Sequence, residues 1–117
     1  MQTENAMIVP GAVFSDNLAL LPPIDGVQRV ELVDEDGGLV ASIENEAGKQ
    51  GSLAVYHYLQ QVFGGLDKQA AEHGLLVFGE HVADAQSRPG AHPNVDRLLA
   101  ICAGEGALGI RVIRRGK

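Results

Sequence analysis

The densest group of side chains able to do chemistry lies between residues 80 and 97, where Glu80, His81, Asp84, His92, Asn94, Asp96 and Arg97 surround Pro89, Gly90 and Pro93. Two imidazoles among carboxylates are the residue types of acid–base catalysis and of transition-metal ligation. On one helix His81 and Asp84 share a face with a rise of about 4.5 Å, a spacing that allows them to share a proton or a metal ion. Glu80 and Asp84, at i and i+4, are neighbours in the same way. His73 stands about 16 Å from Asp84 along a straight helix, too far to join them at one metal. His92 precedes Pro93, which biases it to an extended conformation that turns its ring toward the preceding helix end, and Asn94 is placed to cap the next helix. The spacing matches no closed zinc pattern and no HExxH is present, so no metal is assigned and any cofactor stays unknown. The competing reading is structural. In it Asp96 complements a helix dipole, Arg97 pairs with a carboxylate, and the histidines hydrogen-bond to backbone.

A second set is Lys49, Gly51 and Ser52, within Gly48-Lys49-Gln50-Gly51-Ser52. The phosphate-loop spacing GxxxxGK[ST] is absent. What remains is a glycine-bearing loop entering a helix, a lysine and a hydroxyl at the N-cap, which together can hold a small anion and equally describe an ordinary capped helix. Gly104-Glu105-Gly106-Ala107-Leu108-Gly109 matches GxGxxG, but the predicted order there is helix then strand, the reverse of a dinucleotide site. Asp34-Glu35-Asp36-Gly37 lacks the alternating ligands of a calcium loop and reads as a solvated turn. Ser15, Ser42, Ser52 and Ser87 stand outside any GxSxG turn, and Cys102 falls on an apolar helix stripe where burial is expected.

The elements that must position these groups follow from hydrophobic periodicity. Ser15 before Asp16-Asn17-Leu18 reads as an N-cap, and Pro22-Pro23 stops that helix early. Period-two runs from Val27 to Asp34 and from Leu39 to Ile43 flank an Asp-Gly turn and predict a β-hairpin. A helix opens at Gly51-Ser52, carries Val55, Tyr56, Leu59, Val62 and Phe63 on one face and ends at Gly64-Gly65. The next pattern, from near Asp67 through Ala71, Leu75, Phe78, Val82 and Ala85, is expected to break or bend at Gly74, with His73 then capping a helix C-terminus. Pro89-Gly90 closes that run. Val95, Leu98, Leu99 and Cys102 mark a helix ending at Gly104, and Leu108 to Arg114 a last strand. The expected fold is α+β, a small antiparallel sheet of the hairpin plus the C-terminal strand with three to four helices packed on one face.

Composition narrows the function classes. The chain of 117 residues, 45% apolar, makes one domain, expected over residues 14–117 behind a flexible leader of residues 1–13. A formal charge of −6 with two Tyr, three Phe and no Trp disfavours nucleic acid as a partner; the Arg111, Arg114, Arg115 and Lys117 group is the local exception. A lone cysteine and the absence of a signal or membrane-spanning segment make the cytoplasm the expected location.

Four elements also carry a likeness: Asp16-Asn17-Leu18-Ala19, Gly51-Ser52-Leu53-Ala54-Val55-Tyr56, Glu80-His81 with Asp84-Ala85, and Pro89-Gly90 with His92-Pro93-Asn94-Val95-Asp96-Arg97-Leu98-Leu99. Together they resemble a bacterial domain-of-unknown-function family, number 2322, over nearly everything from Phe14 onward, the last element being the most specific. The resemblance implies a small free-standing bacterial protein and brings no assigned activity or catalytic role. The reading reached is a cytoplasmic binding or interaction module without catalysis, its partner a protein or a small molecule and its oligomeric state open. The alternative is a metal-assisted or acid–base enzyme using His81, Asp84, His92 and Asp96.

Overall fold

A computed structural model describes residues 7–115. In chain order the elements are α1 (Phe14–Leu18), β1 (Val27–Val33), β2 (Leu39–Glu44), α2 (Gln50–Phe63), α3 (Lys68–Phe78), α4 (His81–Ser87), α5 (Pro93–Cys102) and β3 (Gly109–Arg114). The three strands form one antiparallel sheet in the order β2-β1-β3, with Val30 opposite both Ile43 and Val112 and Leu32 opposite both Ala41 and Ile110. Hairpin and C-terminal strand thus share a sheet, as the period-two runs predict. Its turn closes through Asp34, whose Oδ1 accepts from the Asp36 and Gly38 N–H groups, while Gly37 takes the left-handed φ of 84° that the turn requires. The acidic turn is therefore occupied by its own backbone.

The inner face of the sheet, Val30, Leu32, Ile43 and Ile110, joins the core, and the outer face carries Glu31 between Arg29 and Arg111. Helix α2 lies against all three strands and also contacts α1 and α3. It is buried on every side: Leu53, Val55, Tyr56, His57, Tyr58 and Leu59 are all in the interior, more than the single apolar stripe read from the sequence. Among the described residues the helices number five, one above the expected three to four, and the extra boundary explains much of the site.

That boundary falls at Gly79, not at Gly74. Gly74 sits inside α3 and is buried; a Cβ there would stand 2.8 Å from Leu98 Cδ1 and 2.9 Å from Leu59 Cδ1, so the missing side chain lets α3 cross α2 and α5 closely. The packing gain outweighs the roughly 1 kcal/mol propensity cost of an interior glycine. Gly79 adopts φ 58°, and a Cβ there would meet the Ala12 carbonyl oxygen at 2.8 Å, so backbone approach and dihedral both require glycine at the α3–α4 turn. His73 consequently lies within α3 and caps nothing.

Three expected caps are also corrected. Val13 is the N-cap of α1, with Ser15 inside the helix; Lys49 is the N-cap of α2, with Ser52 in its first turn; His92 is the N-cap of α5, with Pro93 first in the helix. None of these three caps makes a side-chain hydrogen bond. Asp67, by contrast, caps α3 by accepting from Ala70 N–H at 2.8 Å.

Of the leader expected over residues 1–13, residues 1–6 lie outside the described residues. Residues 7–13 run along the body. Ile8 N–H donates to Tyr58 Oη at 2.9 Å, and Asn17, 1% exposed, grips Gly11 through both its N–H and carbonyl while donating to Val77 O. Among the described residues no helix is long and apolar enough to cross a membrane.

Candidate functional site

The corner between α4 and α5 is built from the chain upward. Ser87 ends α4, Gly90 takes φ 89°, and Asp96 Oδ2 reaches back to accept from Gly90 N–H at 3.1 Å, which fixes the connection. His92, at φ −130° and ψ 77°, falls short of the extended conformation expected before Pro93, but its ring does turn back and its Nε2 meets Asp84 Oδ2 at 2.5 Å. Asp84 also accepts two hydrogen bonds from the Arg88 guanidinium, from Nε at 2.9 Å and from Nη2. Arg88 first and His92 second hold the Asp84 carboxyl well below the usual aspartate range. The imidazole partner of Asp84 is thus His92 and not His81.

His81 turns instead onto an aromatic row. Phe14 and Phe78 stack at 5.4 Å, His81 meets Phe14 edge-on at 4.8 Å, and His92 lies 5.3 Å beyond His81. The row leads from the core to the mouth of a cleft. Behind Asn94 the buried Tyr56 Oη donates to the Asn94 carbonyl at 2.6 Å, burial pushing its pKa up to about 12 against the pull of Arg97. Arg97 places its guanidinium carbon 5.9 Å from the centre of the Tyr56 ring and donates through Nη1 to Asn94 Oδ1 at 2.8 Å. Its partner is an amide, in place of the carboxylate expected.

The cleft, about 730 Å³, opens between the start of α2, the α4–α5 corner and β2. Its apolar floor is Phe14, Leu18, Ile43, Phe78 and Val95, and its polar wall is Lys49, Gly51, Ser52, His81, His92, Asn94 and Arg97. Four members of the first group predicted from sequence therefore share one cavity with the whole of the second. Glu80, Asp84 and Asp96 do not line it. Glu80 points away, its Oε1 accepting from Phe14 N–H at 2.8 Å, which caps α1 across 66 residues of sequence and lowers the Glu80 pKa.

The charge of this lining is one-sided. Although the chain has 15 Asp and Glu against nine Lys and Arg, the cleft wall contains no Asp or Glu among the described residues. The starts of α2 and α5, neither capped by a side chain, face the same space and add the positive ends of two helix dipoles. Lys49 is exposed at the rim, 3.5 Å from Glu46. Among the described residues no three His, Cys, Asp or Glu side chains come together in a way that would hold a metal ion. Cys102, expected to be buried, is half-buried, and desolvation, ahead of Glu72, pushes its thiol pKa up.

Phe14, Leu18, Ser42, Ile43 and Phe78 belong to the cleft without having been singled out, because they come from three elements and no local spacing joins them. Neither a curated protein nor a solved structure matches the chain. A family model does match, over residues 14–112, and the chain thereby belongs to the DUF2322 family of uncharacterized proteins conserved in bacteria.

Proposed function

We propose that this protein is a non-catalytic binding module whose cleft between α2 and the α4–α5 corner takes a small anionic molecule with an apolar body. One observation carries the reading: in a chain of net charge −6 the cleft wall holds Lys49, Arg97, two imidazoles and no carboxylate. An acidic surface exposes carboxylates almost everywhere, so a hollow without them suits an anion. Volume and lining also fit a small-molecule site, mostly apolar with a few convergent polar groups.

Binding is favoured over acid–base catalysis because the carboxylates that would act are occupied. Asp84 is held by Arg88 and His92, Asp96 by Gly90 N–H and Glu80 by Phe14 N–H. Among the described residues no converging ligand set supports a metal-assisted mechanism. A cytoplasmic location accords with the single free thiol at Cys102.

Thermal unfolding with phenyl phosphate, and with benzyl alcohol as its neutral counterpart, tests the reading. A ligand of the folded state adds about 2.7 kcal/mol at a hundred times its Kd. The melting temperature should rise with phenyl phosphate, stay level with benzyl alcohol, and lose its response in a Lys49→Ala/Arg97→Gln variant. An equal response to both compounds, or an unchanged response in the variant, rejects the anion reading.

A further inference from the structure

We propose that residues 7–10 form an acid-released strap, latched to the body by the relay Ile8 N–H to Tyr58 O–H to His73 Nε2. The proposal rests on the N-terminal segment and is independent of what the cleft binds. Tyr58 Oη lies 2.9 Å from Ile8 N and 2.7 Å from His73 Nε2. A backbone N–H can only donate, so the Tyr58 oxygen accepts from Ile8. Tyr58 is 1% exposed, and among the described residues its hydroxyl has one other partner, His73 Nε2. The hydroxyl proton must therefore go to that nitrogen, which makes His73 a neutral imidazole protonated on Nδ1.

Acid breaks this arrangement in a defined way. With a proton on Nε2, His73 becomes a donor, and the Tyr58 oxygen then faces two donors while its own proton has no acceptor. An orphaned buried donor and the partial desolvation of a half-buried imidazolium both oppose the latched state. Among the described residues the His73 ring meets Tyr58 and Phe63 from α2; Tyr58 is titratable and neither is charged. On α3 itself, Glu72 and Lys68 act on Cys102, and no charged side chain shifts His73, whose pKa is lowered by burial alone. A histidine with a lowered folded-state pKa stabilises the neutral form. The latch is therefore complete above the ordinary histidine value of about 6.5 and weakens as pH falls below it.

The release is local, because the strap is held twice. Asn17 grips Gly11 independently of any histidine, so loss of the relay frees residues 7–10 and leaves Gly11 in place. Opening frees the Tyr58 hydroxyl, which the Ile8 N–H engages in the latched state. Residues 7–13 precede the segment matched by the family, so the strap is an addition to the family's matched core.

Amide hydrogen exchange at Ile8, corrected for the intrinsic pH dependence of exchange, tests the latch in the full chain. Between pH 7.5 and pH 5.0 the protection of Ile8 should fall at least tenfold while that of Gly11 changes less than twofold. His73→Gln offers a neutral acceptor at all pH values and should hold Ile8 protection constant; Tyr58→Phe should leave Ile8 unprotected throughout. Independently of any variant, imidazole nitrogen shifts at pH 7.5 should show His73 protonated on Nδ1. Ile8 protection that does not depend on pH, His73→Gln behaving as wild type, or a proton on Nε2 at neutral pH would each overturn the proposal.

Discussion

Arg97 separates two hollows, and they differ in sign. On one side is the cleft of about 730 Å³ whose described wall lacks carboxylates. On the other, a hollow of about 570 Å³ is lined by Asp34, Glu35 and Glu105 together with Val40, Ala100, Ile101 and Leu108. Arg97 thus lines the smaller hollow together with three acidic residues, and the larger together with Lys49, two histidines and two helix starts. The smaller hollow is lined by its own counter-charge, whereas Glu46 and Asp84, the carboxylates paired with Lys49 and His92, stand outside the wall of the larger. Volume alone does not separate two such sites; the balance of fixed charge does.

The largest expected effect comes from removing that difference. Ser52→Asp places a carboxylate in the cleft and should weaken phenyl phosphate binding at least a hundredfold by calorimetry. The same change puts an acidic residue in the first turn of α2, where the helix dipole favours it, so the melting temperature should hold or rise. Weak binding with intact stability separates lost complementarity from lost structure. A variant that binds as wild type does would mean the cleft's charge is incidental.

Next comes the turn that delivers His81 to the cleft. Gly79→Ala places a Cβ against the Ala12 carbonyl at a φ of 58°, and should cost about 2–3 kcal/mol in denaturant unfolding. Gly74→Ala meets only side-chain methyls of Leu59 and Leu98, which can shift, and should cost less. The reverse order would move the constraint from the turn to the α3 crossing.

Arg97 is shared, so its partners tell the sides apart. Arg97→Gln should weaken anion binding about tenfold, the loss of one charge-assisted hydrogen bond worth roughly 1.5 kcal/mol. Glu105→Gln, in the hollow that supplies its own counter-charge, should change binding less than twofold. Equal effects would show that the two hollows act as one electrostatic unit.

The smallest effect concerns the corner. Asp84 has a lowered folded-state pKa, so its contribution to stability is present above the ordinary aspartate value near 3.8 and is lost as pH falls toward the folded value. Asp84→Asn should melt below wild type at pH 7, and the gap should close as pH falls below 4. A gap independent of pH would mean that Asp84 acts through packing and not through the charge it shares with Arg88 and His92.

How much of this was legible in the sequence depends on how local each signal is. The hairpin flanking Gly37, the stop at Gly64 and the C-terminal strand follow from period, turn chemistry and chain order, all written within a few residues. The turn of His92 back toward the preceding helix end was also legible, because a following proline constrains the backbone, but its pairing with Asp84, expected of His81, was not. Gly74 and Gly79 look alike as residues in a helical run; what distinguishes them is Leu98 and Leu59 on one side and the Ala12 carbonyl on the other, contacts made only after folding. The caps failed for a related reason. Ser15, Ser52 and Asn94 are good capping residues, but Glu80 satisfies the first N–H of α1 from 66 residues away, and a backbone partner at that distance leaves no local pattern. The two candidate groups were each visible, and their meeting in one cleft was not, because it depends on how α2 sits against the corner.

The account stands most directly on where a small anion binds. Phenyl phosphate titrated into isotope-labelled protein, followed through backbone amide shifts, should give saturable changes largest at Gly51, Ser52 and Asn94, and Ser52→Asp should abolish them. Largest changes around Asp34 and Glu105, or shifts that spread over the surface without saturating, would contradict it.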